Sequence, residues 1–321
     1  MSVNTAGLTV ADCHCDTVWR LKETGYDFKR HNEQAHLDLP RLLKGRVAVQ
    51  FFAVCSAARG KPGQYLSEAL GYIGRYLDCL EENSDYLIPL REYADLERAE
   101  GERKIACLLA LEGAEPLEDN PDLLPVFYRL GVRCISLTWN HRNRFADGVG
   151  ERESRGGLTR QGRWMVSEMA RQKIILDLAH ISEPGFFDAL ELAGKPPLVS
   201  HANARALCDH PRNLSDRQLK ELARKGGVAA LSFYPPFIAG SEQATLSQLA
   251  DHFVHVAGVA GVEHLAIGSD FDGIELTVAG LPDASAHPAL LEALAERGFS
   301  REELELIAGG NIRRLLRENL A

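Results

Sequence analysis

Short apolar runs alternate with longer amphipathic segments along the whole chain. The runs are rich in aliphatic and β-branched residues and are almost continuously apolar, a pattern typical of parallel strands buried on both faces. We predict eight such strands, at residues 8–12, 47–54, 105–111, 133–139, 174–180, 197–201, 228–234 and 265–270.

The segments between these runs repeat their apolar residues every three or four positions, which predicts helices. They cover residues 64–82, 120–130, 158–172, 183–193, 215–225 and 246–260, and two further helices at 287–297 and 301–319 close the chain. Ser215 and Asp216 offer an N-cap to one of them.

This alternation of strands and helices predicts an α/β fold, namely a (β/α)8 TIM-type barrel, with a doubly wound open sheet as the alternative. No linker-like composition and no internal repeat divides the chain, so we expect one catalytic domain over residues 1–321. Gly309 and Gly310 near the C-terminus predict the break or the start of a helix.

Composition and charge argue against several classes of partner. A net charge of −9 disfavours binding to nucleic acid or to an anionic membrane, and it is compatible with a small neutral or zwitterionic substrate. The seven cysteines have no CxxC spacing, and we interpret them as reduced thiols. The amino-terminal segment has no features of an export signal, and the longest apolar stretch, residues 47–55, is too short to span a bilayer. We therefore expect a cytoplasmic location.

Polar residues that can take part in catalysis lie where the predicted strands end. Asp12, His14 and Asp16 follow the first strand, Glu112 follows the third, and His180, His201 and Asp270 end the fifth, sixth and eighth. In a barrel the carboxyl ends of all parallel strands face the same rim, which is where active sites of this fold are built. We therefore expect these side chains to converge on one pocket.

Histidines and carboxylates without paired cysteines suit zinc or a similar divalent ion in a catalytic site. His14 and Asp16 are two residues apart, so in an extended segment both can hold the same ion. Glu112 can bridge that ion to a second one held by His180 and His201. A lone histidine at a strand end is more often structural, and Glu112 or Asp270 alone could equally well be a salt-bridged structural carboxylate. The joint placement of these residues at the strand ends favours a metal site.

Other motifs carry less information. His252 and His255 are three residues apart on a predicted helix, and we interpret them as a solvated surface pair. The chain has no GxSxG nucleophile elbow, no Walker loop and no dinucleotide-binding GxGxxG.

Several stretches of the chain match one known family in the same order. They are ADCHCDTVWRL, LALEGAEPL, SLTWNHRNRFADG, ILDLAHIS, VSHANARALCDHPRNLSD, GSDFDG and GLPDASAHPALLEAL followed by NIRRLL, and they run from residue 11 to residue 316. With these motifs the chain resembles the renal (membrane) dipeptidase family, peptidase family M19, whose members are binuclear zinc dipeptidases related to the metal-dependent amidohydrolases. The resemblance implies hydrolysis of free dipeptides, with L-Xaa-D-Xaa dipeptides as an extension, by a hydroxide that bridges two zinc ions per chain. It also allows a homodimer.

The resemblance assigns metal ligands by position. His14 and Asp16 match ligands of the first zinc, and Glu112 matches the carboxylate that bridges both ions. His180 and His201 match ligands of the second zinc.

The resemblance also assigns residues to the substrate. Arg212 matches the arginine that binds the carboxylate of the substrate, and Asp270 matches the residue that handles protons at the scissile bond. Trp139 occupies the position of a substrate-binding histidine in animal members, and His141 lies two residues further on, so the choice between them stays open. Cys15 stands where those members have asparagine, and strand alternation directs its side chain away from the metals.

Two other functions fit the same residues less well. A metal-dependent amidohydrolase acting on another small amide, such as an N-acyl amino acid or a β-lactam, is the main alternative. A non-catalytic metal-binding protein on this fold would be expected to lack Glu112 or Asp270, and both are present.

Overall fold

Parallel strands close into a barrel in the computed structural model, which describes residues 3–58, 60–118 and 120–321. The strands are β1 (Val10–Asp12), β2 (Val47–Val54), β3 (Leu87–Pro89), β4 (Ile105–Leu111), β5 (Val132–Ser136), β6 (Ile175–Asp177), β7 (Leu198–Val199), β8 (Val228–Leu231) and β9 (Leu265–Ile267). All except β3 form a closed ring in the order β1-β2-β4-β5-β6-β7-β8-β9, which pairing of β1 with β9 completes. The predicted barrel is therefore confirmed, and the open-sheet alternative is wrong.

Strand β3 was not predicted from the sequence. It lies outside the ring and pairs in parallel with the first half of β4, with Leu87 opposite Ile105. Several other strands are shorter than predicted, because the polar residues that end the predicted runs turn out of the sheet into loops. For example, β6 ends at Asp177 and β7 at Val199, before the histidines that follow them.

Helices surround the ring, and all eight predicted ones are present with small shifts at their ends. They are α1 (Thr17–Thr24), α2 (Leu39–Lys44), α3 (Tyr65–Glu82), α4 (Tyr93–Glu102), α5 (Leu124–Leu130), α6 (Arg160–Arg171), α7 (Glu183–Leu192), α8 (Asp216–Arg224), α9 (Pro235–Ala239), α10 (Leu246–Ala260), α11 (His287–Glu296), α12 (Arg301–Glu305) and α13 (Asn311–Leu320). Helices α1, α2, α4 and α9 were not predicted. Ser215 caps α8 as expected, and its side chain accepts a hydrogen bond from the backbone N–H of Gln218.

The C-terminal helix closes the amino-terminal end of the barrel. Residues Leu306–Gly310 form a π-helical turn that joins α12 to α13, so the predicted break at Gly309 and Gly310 is a change of helix type within a continuous helix. Asn311 donates hydrogen bonds to the backbone carbonyls of Val262 and Leu265, each at 2.8 Å, and this anchors α13 beside the start of β9. Apolar side chains of α13 pack with the residues that fill the barrel interior. Helix α13 does not cover the carboxyl end of the barrel.

The cysteines and the helices bear on two further expectations about the chain. Five cysteines are buried and all seven are free thiols. Among the described helices, none is both long and apolar enough to cross a membrane. Met1 and Ser2, at the start of the segment in which we found no export signal, lie outside the described residues.

Candidate metal centre and active site

The predicted site residues meet in one cavity at the carboxyl end of the barrel. This cavity has a volume of about 630 Å³, and its lining includes Asp16, Glu112, Trp139, His180, His201, Arg212 and Asp270. His14 is buried beside it, with its Nε2 atom 3.4 Å from Asp16 Oδ2. The structure therefore brings all eight predicted residues together.

One group of possible metal ligands surrounds His14. Its Nε2 atom lies 3.9 Å from Asp270 Oδ1 and 3.8 Å from Glu112 Oε1, in addition to the contact with Asp16. His14, Asp16 and Asp270 are close enough to hold one ion, and so are His14, Glu112 and His201. Asp270 thus lies almost as near to His14 as Glu112, which we predicted as a ligand.

A second group surrounds the same carboxylate oxygen. Glu112 Oε1 lies 2.7 Å from His180 Nε2 and 3.4 Å from His201 Nε2, and the two Nε2 atoms are 2.9 Å apart. Glu112 therefore stands between the two groups, as a bridging carboxylate would.

Hydrogen bonds at the outer edge of each imidazole fix where its proton lies. His180 Nδ1 donates to Asn140 Oδ1 at 2.8 Å. The hydroxyl of Ser200 donates to Asp177 Oδ2 at 2.6 Å, so its oxygen accepts from His201 Nδ1 at 2.8 Å. Because a neutral imidazole carries one proton, both Nε2 atoms are left with a free lone pair directed at Glu112.

These contacts fit a divalent cation. Two nitrogen lone pairs and a carboxylate oxygen lie within hydrogen-bonding distance of one another without a proton to share. In addition, the Nε2 atom of His14 is buried and has no hydrogen-bond partner among the described residues. Nitrogen and oxygen donors without thiolate suit zinc or a similar ion.

The electrostatics of the histidines agree with a cation site. Burial lowers the pKa of His14, but the carboxylates of Glu112 and Asp16 more than offset this and raise it to about 10. A positive charge is therefore favoured at this position. Burial and the nearby Arg212 guanidinium lower the pKa of His180 to about 4, so this imidazole is neutral and able to bind a metal at pH 7.

Arg212 places a buried positive charge at the edge of the same cavity. One Nη2 donor is bonded to the backbone carbonyl of His201 at 3.1 Å, whereas the buried Nε has no partner among the described residues. Burial lowers the pKa of this guanidinium to about 10, so it stays charged at neutral pH. Its remaining donors can receive an anionic group.

A family model described as membrane dipeptidase (peptidase family M19) matches residues 5–321. The chain belongs to this family. Dipeptidase aclJ of Aspergillus oryzae is 34% identical over 302 residues, which cover 90% of this chain and 72% of the relative. Dipeptidase 3 of Rattus norvegicus is 31% identical over 298 residues, which cover 91% of this chain and 60% of the relative.

Two solved structures share the whole fold. Dipeptidase AC, a metallopeptidase of family M19, superposes with a TM-score of 0.89 at 28% identity, and the match covers 98% of this chain and 99% of that one. A metallopeptidase from Rhodobacter sphaeroides, solved with a phosphinate mimic of the dipeptide L-Ala-D-Ala, gives a TM-score of 0.88 at 27% identity, covering 97% and 99%. The protein is therefore a metal-dependent dipeptidase of the M19 family.

Two residues of the segment that follows β5 lie in the cavity of this dipeptidase. Trp139 and Asn140 line it, and the ring of Trp139 lies 6.1 Å from that of His180, whereas His141 is exposed and is not part of the lining. Sequence reasoning weighed Trp139 against His141 and missed Asn140, whose contact with His180 depends on a loop that the sequence does not reveal.

Asp270 is not an ordinary aspartate, whose carboxyl has a pKa near 4 in water. Burial, opposed by His14 and assisted by Asp16 and Glu112, raises the pKa of Asp270 to about 8. The nearby Gly273 makes room for this carboxylate, since a Cβ atom there would lie 2.8 Å from Asp270 Oδ1 and 2.1 Å from Asp16 Oδ2.

A carboxylate and a serine fasten β6 to β7 beneath His201. The ladder between these strands has one residue pair, Asp177 with Leu198. Beyond it, Asp177 Oδ1 accepts the backbone N–H of Ser200 at 3.0 Å and Oδ2 accepts the Ser200 hydroxyl at 2.6 Å. We call this arrangement the Asp177 clamp, and it positions the residue that follows Ser200, which is His201.

Asp12 forms the same arrangement between β1 and β9. That ladder also has one residue pair, Asp12 with Ile267, and Asp12 accepts the backbone N–H of Ser269 at 2.8 Å and its hydroxyl at 2.6 Å. This Asp12 clamp positions Asp270, the residue after Ser269. Asp12 itself is fully buried and does not line the cavity, so it is a structural residue and not a ligand.

Two further expectations about single residues have clear outcomes. His252 is buried, with Nδ1 accepting from the backbone N–H of Ala204 and Nε2 donating to the carbonyl of Ile238, so the predicted solvated pair with His255 is wrong. Cys15 is fully buried and donates to the carbonyl of Phe51, and it does not line the cavity. Arg20 and Tyr234 do line it and carried no signal in the sequence.

We predict that Ser200→Ala weakens metal binding at the histidine pair. The substitution removes the acceptor of the His201 Nδ1 proton, so the imidazole loses its fixed orientation. Loss of such an outer contact typically lowers metal affinity about 10- to 100-fold. Titration of the metal-free variant with zinc, followed by calorimetry, measures the change.

Ser269→Ala is the matched control, because it removes the same hydroxyl from the Asp12 clamp, where no imidazole is bonded to it. It should lower thermal stability and leave the affinity of the histidine pair near the wild-type value. If Ser200→Ala binds zinc as tightly as the wild type, the Asp177 clamp does not position His201.

Proposed function

We propose that this M19 dipeptidase is a zinc enzyme that hydrolyses the peptide bond of free dipeptides with two metal ions per chain. The observation that carries the proposal is the contact of Glu112 Oε1 with the unprotonated Nε2 atoms of His180 and His201, on the side facing His14. In the proposed arrangement His14 and Asp16 hold one ion, His180 and His201 hold the other, and Glu112 is shared.

Two bound divalent ions would supply a hydroxide nucleophile from water at neutral pH and would polarise the carbonyl of the peptide bond. The protein contributes orientation and exclusion of water. His14 and His201 are at most 3% exposed, and their ring centroids lie 3.8 Å apart, so both imidazoles are held against each other in a dry environment.

Arg212 supports the choice of dipeptides as substrates. A guanidinium offers two parallel N–H donors that match a carboxylate, and it does so best when it is buried. In this arrangement the carboxylate of the C-terminal residue lies on Arg212 and the scissile amide lies at the metal ligands, both in the same cavity of about 630 Å³. Arg212 would then favour substrates whose free carboxylate is one residue away from the scissile bond. The relative from Rhodobacter sphaeroides binds a mimic of L-Ala-D-Ala, which supports the extension to a D-residue on the leaving side.

Asp270 is proposed to carry the proton from the attacking water to the leaving amine. It lies 3.9 Å from His14 and in the lining of the cavity, within reach of the groups that would change protonation. Its pKa of about 8 reflects burial and two neighbouring carboxylates, and the positive charge of His14 already acts in the opposite direction. A cation held by the same carboxylates would favour the ionised form further, so Asp270 could accept a proton near neutral pH.

A cytoplasmic location is a proposal that the seven free cysteines support, because thiols remain reduced in that compartment. Assembly as a homodimer stays a prediction of the family resemblance.

We expect the purified protein to hold about two divalent ions per chain and to lose activity on chelation, with recovery on addition of zinc. Glu112→Gln should reduce the content of both ions together, because one carboxylate faces both groups of ligands. Elemental analysis and dipeptide hydrolysis on the same preparation measure both effects.

Glu115→Gln is the matched control for this variant. Glu115 is an equally buried carboxylate nearby, and it bonds the backbone of Trp139 and the side chain of Asn143 but no proposed ligand. The Glu115→Gln variant should keep the metal content of the wild type. A wild-type protein without metal, whose activity is indifferent to chelators, would contradict the proposal.

Arg212→Lys should weaken turnover mainly by raising KM, because a single ammonium replaces a planar pair of donors. A change of about 10- to 100-fold is expected from the loss of one hydrogen bond between charged groups. Steady-state kinetics on a dipeptide and on its C-terminal amide tests the assignment. If the wild type hydrolyses both equally well, Arg212 does not bind the carboxylate.

Faster turnover of N-acetylated amino acids than of dipeptides by the wild type would favour the amidohydrolase alternative.

Asp270→Asn should keep both metal ions and lower kcat by about 10²- to 10⁴-fold, because the amide can no longer accept a proton. Metal content and kcat are measured on the same sample. A variant that loses an ion would make Asp270 a ligand, as its distance from His14 permits. Near-normal turnover would remove it from the mechanism.

A further inference from the structure

A second cavity lies beside the metal centre, outside the ring of strands. It has a volume of about 440 Å³ and shares His180 and Arg212 with the active-site cavity. Its remaining walls come from the segment after β6, from β7, α7 and α8, and from the loops that precede α6 and α8. Leu178, Val199 and Leu214 give it an apolar floor.

The charges around this cavity are predominantly positive. Its lining contains five arginines, Arg152, Arg155, Arg205, Arg212 and Arg217, against two glutamates, Glu151 and Glu183. The chain as a whole carries a net charge of −9, so such an excess of arginine in one place is contrary to the overall composition. We call this space the arginine cavity.

Not all of these arginines are neutralised by the protein. Arg205 is paired with Glu183 at 2.9 Å, and the guanidinium of Arg217 lies 4.3 Å from the centre of the Phe187 ring. Arg152 and Arg155 are exposed to solvent at the mouth of the cavity, and neither makes a hydrogen bond or an ion pair with a residue that the structure describes. The guanidinium groups of Arg152 and Arg155 are therefore free to receive an anion beside Arg212.

The charges of the arginine cavity also act on the active-site cavity. His210 lines the active-site cavity, and burial followed by the charges of Arg212 and Arg152 lowers its pKa. Arg152 therefore acts on a side chain of the active site from the other cavity, and Arg212 belongs to both.

We infer that the arginine cavity binds an anionic group of the carboxylate class directly beside the metal centre. A guanidinium prefers a carboxylate as partner, and the apolar floor accommodates the carbon chain that bears it. The first source of such a group is an acidic side chain on the C-terminal residue of the substrate. This assignment rests on the proposed function, in which Arg212 holds the main-chain carboxylate of the same residue. The second source is a small free dicarboxylate.

The test compares the dipeptides Ala-Glu and Ala-Gln, which have the same size and differ in one charge. The wild type should hydrolyse Ala-Glu with a kcat/KM roughly tenfold or more above that for Ala-Gln, the effect of one hydrogen bond between charged groups. In the double variant Arg152→Gln with Arg155→Gln this ratio should fall towards one. Arg160→Gln is the control, because Arg160 is an exposed arginine outside the cavity, and it should keep the wild-type ratio.

A second measurement separates the two sources. Calorimetry with glutarate on the metal-loaded protein should show binding by the wild type and by Arg160→Gln, and weaker binding by the double variant. A change in glutarate binding with an unchanged ratio of Ala-Glu to Ala-Gln assigns the cavity to a free anion. Equal kcat/KM for both dipeptides in the wild type, with glutarate binding identical in all three proteins, would overturn the inference. If Ala-Gln and Ala-Ala are not hydrolysed at all, the proposed function fails, and the glutarate measurement still tests the cavity.

Discussion

Two imidazole nitrogens and a carboxylate oxygen meet at the carboxyl end of this barrel, and none of them has a proton to offer the others. Glu112 Oε1 lies 2.7 and 3.4 Å from the Nε2 atoms of His180 and His201. Buried acceptors at such distances repel one another unless a cation joins them. The protein must therefore hold them in place, and it does so with the hydrogen bonds of Asn140 and Ser200 on the far side of each ring.

The hydrogen bonds that join the barrel strands at two junctions also help to hold the site residues in place. Each of the two clamps stands at a junction where the backbone ladder has one residue pair, and there a buried aspartate bonds a serine of the neighbouring strand. The serine is followed by His201 in one case and by Asp270 in the other. The bonds that hold short strands together are thus the same bonds that fix the orientation of residues in the site.

Two residues of the site also have a strained backbone conformation. His180 and Asp270 adopt left-handed conformations, with φ of 67° and 68°, which cost non-glycine residues about 1–3 kcal/mol each. Both are held by hydrogen bonds to neighbouring loops, since the carbonyl of His180 accepts from Val149 and the backbone N–H of Asp270 donates to His14. This conformation turns the side chains into the cavity directly after strands β6 and β9, at a point where a regular strand would alternate between the faces of the sheet.

Much of the fold was determined by the sequence alone. Eight apolar runs predicted eight barrel strands, and the rule that parallel strands end at one rim brought His14, Glu112, His180 and His201 together before any contact was known. The roles of Asn140 and of the two clamps, the raised pKa of Asp270 and the arginine cavity were decided by the tertiary structure. The physical reason is that they depend on burial and on hydrogen bonds between residues that are far apart in the chain, whereas periodicity in a sequence reports only which face of each element is apolar.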